Sequence, residues 1–307
     1  ANPEAEQPMP SLTLFFIVEP PTYQNMACYL AASLRQHMPP EVRLVGYCPA
    51  ASFDAVSPEV RECLSRMDVD LRTFETAGRF DPDYPHGNKM LACLEPRDTE
   101  FSGFMDSDIL MLRSTDPAIL LRSGHVSASV AASMQWAPPD IWDRLYGAMG
   151  WPVPEDRVML MRDKRRAVPP YFSSGFVLFP ERHRNDRGQS FPEAWMDVAR
   201  HIDAAEGIEK TRPYLDQMTL PLAIRHAGLD AHILPEDQHY ILGGKLRGKP
   251  FPEERHIHLV HYRKWEVLKE AGLAERGYQA LKRAVGTRKI ARVFDVAKPG
   301  SAEAAAQ

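Results

Sequence analysis

Asp106-Ser107-Asp108 interrupts an otherwise continuous apolar run, with Phe104 and Met105 before it and Ile109, Leu110, Met111 and Leu112 after it. Carboxylates set into such a run are costly to bury unless a cation neutralises them. In an extended segment, residues i and i+2 point to the same side, so the two acids are expected to converge on one ion. Hard oxygen donors of this kind suit Mn²⁺ or Mg²⁺, which complete their shells with phosphate oxygens and water. The same spacing recurs at Asp68–Asp70 and Asp81–Asp83. The first opens a strand-like segment and the second lies in a Pro-bracketed turn, where acids are ordinarily solvated. The competing reading of Asp106–Asp108 is a surface bend between two short strands. A cluster of histidines, His256, His258 and His261, adds nitrogen donors. Strand alternation puts His256 and His258 on one face and His261 on the other or just past the end. His261 is the favoured third ligand.

The elements that must hold these groups are legible from periodicity. Residues 12–18 (LTLFFIV) form a short, wholly apolar run, as expected of a parallel strand buried on both faces. After Pro20-Pro21-Thr22, the apolar positions Tyr23, Met26, Ala27, Leu30, Ala31 and Leu34 trace an amphipathic helix with Thr22 as N-cap. Strands are expected at 42–48, 69–74, 101–112, 125–133, 171–180 and 256–262, and helices at 87–95, 216–227 and 265–285. Ser190-Phe-Pro-Glu193 reads as a capping box opening a further helix. Strands alternating with helices imply βαβ units and a mostly parallel central sheet. Residues 136–170, rich in Pro and Trp, are expected to form a long loop with one short helix. The expected organisation is a disordered N-terminus at 1–10, one α/β domain over 11–295 with halves at 11–115 and 116–295, and a disordered tail at 296–307.

Composition narrows the function classes. A formal net charge of -4 lacks the basic excess of a nucleic-acid binder. No apolar stretch approaches the roughly 18 residues that span a bilayer. Cys28, Cys48, Cys63 and Cys93 form no C-x-x-C pair and read as reduced and structural, which favours a cytoplasmic protein.

The ordered set of motifs resembles the GT-A (Rossmann-like) glycosyltransferases, and most of all the retaining branch of glycogenin and bacterial lipopolysaccharide galactosyltransferases. LTLFFIVEPPTYQNMACYLAASL is similar to that family's opening uridine-binding unit. Asn88-Lys89, then FSGFMDSDILML, resembles its basic residue and D-x-D strand. YFSSGFVLF (171–179) resembles its Y-F-N-x-G strand, with Ser174 where Asn is usual, and Leu215-Asp216-Gln217 its D-Q motif. His258-Leu-Val-His261-Tyr-Arg263-Lys264-Trp265 is similar to its H-x-x-G-x-x-K-P-W element, shortened and without the Gly and Pro.

The resemblance implies a metal-dependent transfer of a sugar from a nucleotide-diphosphate sugar, UDP-linked by expectation, to a hydroxyl on a glycan, lipid or small-molecule acceptor, with retention. It implies Asp106, Asp108 and His261 as metal ligands, with Asp106 also at the ribose. Asp216 and Gln217 would line the anomeric face of the donor sugar. Val18, Glu19, Tyr23, Asn88, Lys89, Ser107, Ser174, Gly175, Arg263 and Lys264 would contact the nucleotide-sugar. Some of these have plainer readings: Tyr23 as core packing in the helix stripe, Lys89 as a solvated helix start. The loop GGKLRGK (243–249) is either a diphosphate clamp or a solvated turn. Trp136, Trp142 and Trp151 offer faces for an acceptor sugar. A sugar nucleotidyltransferase is the first alternative, but EPPTYQN after the first strand lacks the Gly-rich triphosphate loop that reaction needs. A non-catalytic nucleotide-sugar-binding protein is the second. The basic stretch Arg276, Lys282, Arg283, Arg288, Lys289 and Arg292 reads either as a peripheral contact to anionic lipid at the inner membrane face or as a solvated helix face.

Overall fold

The structure is a computed structural model and describes residues 9–208, 212, 214–286 and 293. The expected tails, and the expected basic positions Arg288, Lys289 and Arg292, fall mostly or wholly outside those residues. In chain order the elements are β1 (Leu12–Ile17), α1 (Tyr23–His37), β2 (Arg43–Pro49), α2 (Pro58–Arg66), β3 (Val69–Phe74), α3 (Asn88–Cys93), β4 (Phe101–Met105) and β5 (Ile109–Met111). Then follow β6 (His125–Ser129), α4 (Ile141–Ala148), the short strands β7 (Val158–Met159) and β8 (Ala167–Val168), β9 (Phe176–Pro180), α5 (Phe191–Asp203) and α6 (Leu215–His226). The rest comprises β10 (Asp230–Leu234), β11 (Tyr240–Ile241), β12 (Leu259–His261), α7 (Trp265–Glu270) and α8 (Ala274–Val285).

Seven strands form the central sheet in the order β10-β6-β9-β4-β1-β2-β3. It is mainly parallel, with β9 inserted antiparallel between β4 and β6. Because side chains alternate across a strand, β1 divides its residues between two cores. Leu12, Leu14 and Phe16 pack with α1, α2 and α8, while Phe15 joins Tyr47, Phe104 and Phe179 under α3, α5 and α6. The Ser190–Glu193 capping box is present: Ser190 Oγ accepts from Glu193 N, and the Glu193 carboxylate accepts from Ser190 N.

Several expected strands are shorter than their apolar runs, and the differences build the site. The run 101–112 is two strands in two sheets: β4 belongs to the central sheet, and β5 to a small sheet ordered β11-β12-β5. Asp106 to Asp108 is the turn between them. The bend reading of that segment is therefore correct as to backbone, and strand alternation does not align the two acids. The strand expected at 256–262 is paired only over Leu259–His261, and His256 adopts a left-handed conformation at φ 51. His256 and His258 therefore share no strand face. Within 171–180 only Phe176–Pro180 is strand: Phe172 makes an isolated bridge to Val130, and Ser174 and Gly175 form a turn beside Asp106. The helix expected at 265–285 is broken at Gly272, where φ is 74.

All four cysteines are buried and free. Among the described residues, no helix is long and apolar enough to cross a membrane.

Candidate active site

The turn after β4 places Asp106 and Asp108 at the carboxyl end of the parallel strands, where open α/β sheets bind ligands. Its geometry is fixed by backbone contacts from distant segments: Asp106 N donates to Gly175 O at 2.8 Å, and Tyr262 N donates to Asp108 O at 3.0 Å. Ser107 points inward and donates to Ile17 O at the end of β1. β12 lies antiparallel to β5 with His261 opposite Ile109, which carries the imidazole over the acids. His261 Nε2 is 3.0 Å from Asp108 Oδ1 and 3.8 Å from Asp106 Oδ2.

These separations suit a shared cation. Ligands at roughly 2.1 Å from a six-coordinate ion stand about 3 Å apart when adjacent and about 4 Å when opposite. Among the described residues, Asp106, Asp108 and His261 form the one group of His, Cys, Asp or Glu that can share an ion, with ligand atoms all within 4.8 Å of one another. Gly175 completes the fit: a Cβ there would stand 2.8 Å from His261 Cε1 and 2.9 Å from Asp106 Oδ2. Only a residue without a side chain lets the backbone come this close.

Beside this trio lies a second charged group. Lys89 Nζ, from the first turn of α3, lies 3.1 Å from Asp106 Oδ1 and 3.0 Å from Asp216 Oδ2. It also approaches Ser174 Oγ at 3.3 Å. Ser174 Oγ in turn donates to Asp216 Oδ2 at 2.6 Å. Asp216 opens α6, so the helix N-terminus adds favourable positive potential at its carboxylate. Both of these side-chain contacts use Oδ2.

The electrostatics follow from burial and pairing. Burial pushes the Asp106 carboxyl above the usual carboxylate range; Lys89 opposes that push and Asp108 adds to it. Burial acts in the same direction on Asp108, but His261 more than reverses it and holds that carboxyl below the usual range. His261 is raised, since Asp108 and Asp106 outweigh its desolvation. Burial would lower Lys89, but Asp106 and Asp216 overcome it and keep the ammonium charged.

The remaining expected contact residues divide. Glu19 is half-buried beside Asn88, its carboxyl raised by burial and partly restored by a hydrogen bond from the Asn88 amide. Tyr23 is 47% exposed, so it is no core residue, and its phenol feels Asp108 and Asp106. Val18 is fully buried, and its side chain packs against Gly46. Gln217 is half-buried next to Asp216. Arg263 and Lys264 are exposed just beyond His261, with Arg263 at φ 62. That left-handed backbone is uncommon for a non-glycine residue.

Of the three tryptophans, Trp136 stacks on Tyr214 at 4.5 Å and donates to the Tyr171 hydroxyl, which places it near Asp216. Trp142 is buried and offers no face to a sugar, and Trp151 is half-buried against Arg225 and His226. In the 243–249 loop, Arg247 is paired with Glu270.

One residue has no counterpart in the sequence reading. His239 is fully buried, stacks on His261 with ring centroids 5.2 Å apart, and brings Nε2 to 3.1 Å from His261 Nδ1. Burial, with His261 second, holds it well below the usual histidine range. It lies in a short loop segment 22 residues from its partner, so no local periodicity marks it.

A family model for the Rhodobacterales glycosyltransferase domain matches residues 14–228. Among curated proteins, none matches the chain in sequence. Among solved structures, the chain is similar to the galactosyltransferase LgtC in complex with donor and acceptor sugar analogs: 13% identity and a TM-score of 0.59, covering 90% of this chain and 98% of that one. It is also similar to the bifunctional glycosyltransferase WbbM in its apo form: 12% identity and a TM-score of 0.53, covering 96% of this chain and 53% of that one. At such identities the likeness shows the fold alone, which is GT-A.

Proposed function

The chain belongs to the Rhodobacterales glycosyltransferase domain family, and from that premise we propose that it transfers a sugar from a nucleotide-diphosphate sugar, UDP-linked, to a hydroxyl acceptor with retention. The observation that carries this reading is the convergence of Asp106, Asp108 and His261 beside the Lys89–Asp216 pair. In it, residues 11–115 form the nucleotide-binding half, and 116–295 supply the acceptor side and the third ligand.

Asp106, Asp108 and His261 would hold Mn²⁺ or Mg²⁺, which when bound neutralises the departing diphosphate. Lys89 adds a fixed positive charge on the same side. Glu19, Tyr23 and Asn88 border the nucleoside position; Ser107, Ser174 and Gly175 shape the floor, and Arg263 and Lys264 stand at its rim toward the phosphates. Val18 contributes through its backbone.

Asp216 and Gln217 face the anomeric carbon. A carboxylate tied to a buried ammonium serves better as a fixed negative charge near that carbon than as a proton acceptor. Inversion needs a base for the acceptor hydroxyl, so this pairing favours retention. LgtC was solved with donor and acceptor sugar analogs, which supports a glycan acceptor here, reached past Trp136 and Tyr214. Lys282 and Arg283 stay exposed on α8 for a peripheral contact with anionic lipid, which vesicle co-sedimentation would test.

The test is thermal unfolding with UDP, GDP, ADP, CMP and TDP, each with Mn²⁺ and with EDTA. Ligand at about a hundred times its Kd adds about 2.7 kcal/mol and raises the midpoint by several degrees. A shift that requires both UDP and Mn²⁺ is expected. A shift indifferent to EDTA would remove the metal from the reading, and no shift with any nucleotide would remove the donor site.

A further inference from the structure

The stacked histidine pair has a chemistry that the acid cluster alone does not supply. His261 meets the two aspartates through Nε2, and an imidazole nitrogen can bind a cation only through an unprotonated lone pair. A neutral imidazole keeps its proton on one nitrogen, and the bond made by the far nitrogen decides which one. The far nitrogen of His261 is Nδ1, and its partner is His239 Nε2 at 3.1 Å.

We propose that His239 is a positioning residue that accepts the His261 Nδ1 proton, fixing the tautomer in which His261 Nε2 faces the cation. The proposal rests on the metal reading of Asp106, Asp108 and His261. Three features of the site support it. His239 is fully buried, so water does not compete for the contact. Its ring is held by the parallel stack on His261 at 12° and by the edge of Phe176 at 6.3 Å. Its other nitrogen, Nδ1, has no hydrogen-bond partner among the described residues, so no second bond dictates the His239 tautomer. Nδ1 can carry the His239 proton and leave Nε2 as the acceptor. Groups behind a metal-binding histidine typically contribute about 10–100-fold to metal affinity when removed.

The experiment measures Mn²⁺ affinity by calorimetry in the presence of UDP for the full chain and for His239→Leu, His239→Gln and Asp108→Ala, with thermal unfolding of each. His239→Leu fills the space without an acceptor, whereas the Gln amide oxygen can reach the position of Nε2. The expected result is binding by the unchanged chain, loss with Asp108→Ala, an affinity about 10–100-fold weaker with His239→Leu, and substantial recovery with His239→Gln. Unchanged affinity in folded His239→Leu, with loss in Asp108→Ala, would overturn the role of His239 and leave the metal site standing. No Mn²⁺ binding by the unchanged chain would overturn the metal reading and this proposal with it. If His239→Leu does not fold, ¹⁵N-histidine NMR of the Mg²⁺-loaded chain decides: an unprotonated His239 Nε2 facing the protonated His261 Nδ1 supports the proposal, and a proton on His239 Nε2 refutes it.

Discussion

Replacing Gly175 by alanine separates the geometry of the cation cluster from the stability of the fold. The new Cβ would lie 2.8 Å from His261 Cε1, 2.9 Å from Asp106 Oδ2 and 2.9 Å from His261 Nδ1. Ordinary contact begins near 3.4 Å, so the two ligands must retreat by about half an ångström, well outside the roughly 0.2 Å tolerance of a metal–ligand distance. Gly175 is not among the glycines at positive φ, so the backbone accepts alanine and the effect is steric. Mn²⁺ affinity is expected to fall about 10–100-fold, while overpacking costs about 1–3 kcal/mol of stability. Gly103→Ala is the control. It lies on β4, just before the acid turn, and its Cβ would stand 2.7 Å from Leu14 Cδ2 and 3.1 Å from Leu178 Cδ2, within the core. It should lose similar stability and keep its Mn²⁺ affinity. Calorimetric titration of Mn²⁺ with UDP, beside urea unfolding, reads both quantities. Unchanged affinity in folded Gly175→Ala would refute the idea that this glycine exists to let the ligands approach.

Lys89→Met leaves Asp106 and Asp216 without their cation and should cost about 3–5 kcal/mol at pH 7. Because burial pushes the Asp106 carboxyl above its usual range, its protonation relieves part of that loss, so urea unfolding should show a smaller penalty at acidic pH than at pH 7. Asp216→Asn should lower turnover by about a hundredfold or more with UDP affinity retained; equal turnover would remove Asp216 from the reaction centre. At Glu236, burial raises the carboxyl, but hydrogen bonds from Arg162 and Arg255 overcome it and hold the group below its ordinary 4.5. Its stabilisation is therefore full above that value and lost as pH falls through the folded one. Glu236→Gln should cost about 1–3 kcal/mol at pH 7 and converge with the unchanged chain as the pH falls below the ordinary carboxylate value of 4.5. Ser190→Ala should cost about 1 kcal/mol in urea unfolding and leave nucleotide binding untouched.

The sheet was legible because its strands are short apolar runs separated by helical periodicity, and β1, β2 and β3 fall within a residue or so of their expected bounds. The limit of that signal appears at Phe101–Leu112. Hydrophobicity reports burial, and both β4 and β5 are buried, but it does not report that they belong to different sheets. The cost of burying two carboxylates singled out the acids, but it did not reveal that they sit on a turn and not on a strand. Ser174 with Gly175, Asp216 and Lys89 come from three segments, and what joins them is tertiary packing, visible beforehand only through the family resemblance. The matched family segment ends at residue 228, short of His239 and His261. His239 left no local trace because a buried histidine in a short loop has no pattern to break.

The position of the small sheet has a consequence for how the protein is made. All strands of the central sheet precede Pro235 in the chain, whereas the two stacked histidines follow it. During synthesis the scaffold and both aspartates leave the ribosome before the imidazoles that finish the cluster. A polypeptide released early can carry every strand of the main sheet and still lack its nitrogen ligand. Under the proposed metal reading, competence to capture a donor would then follow translation past His261, set by the order of the sequence.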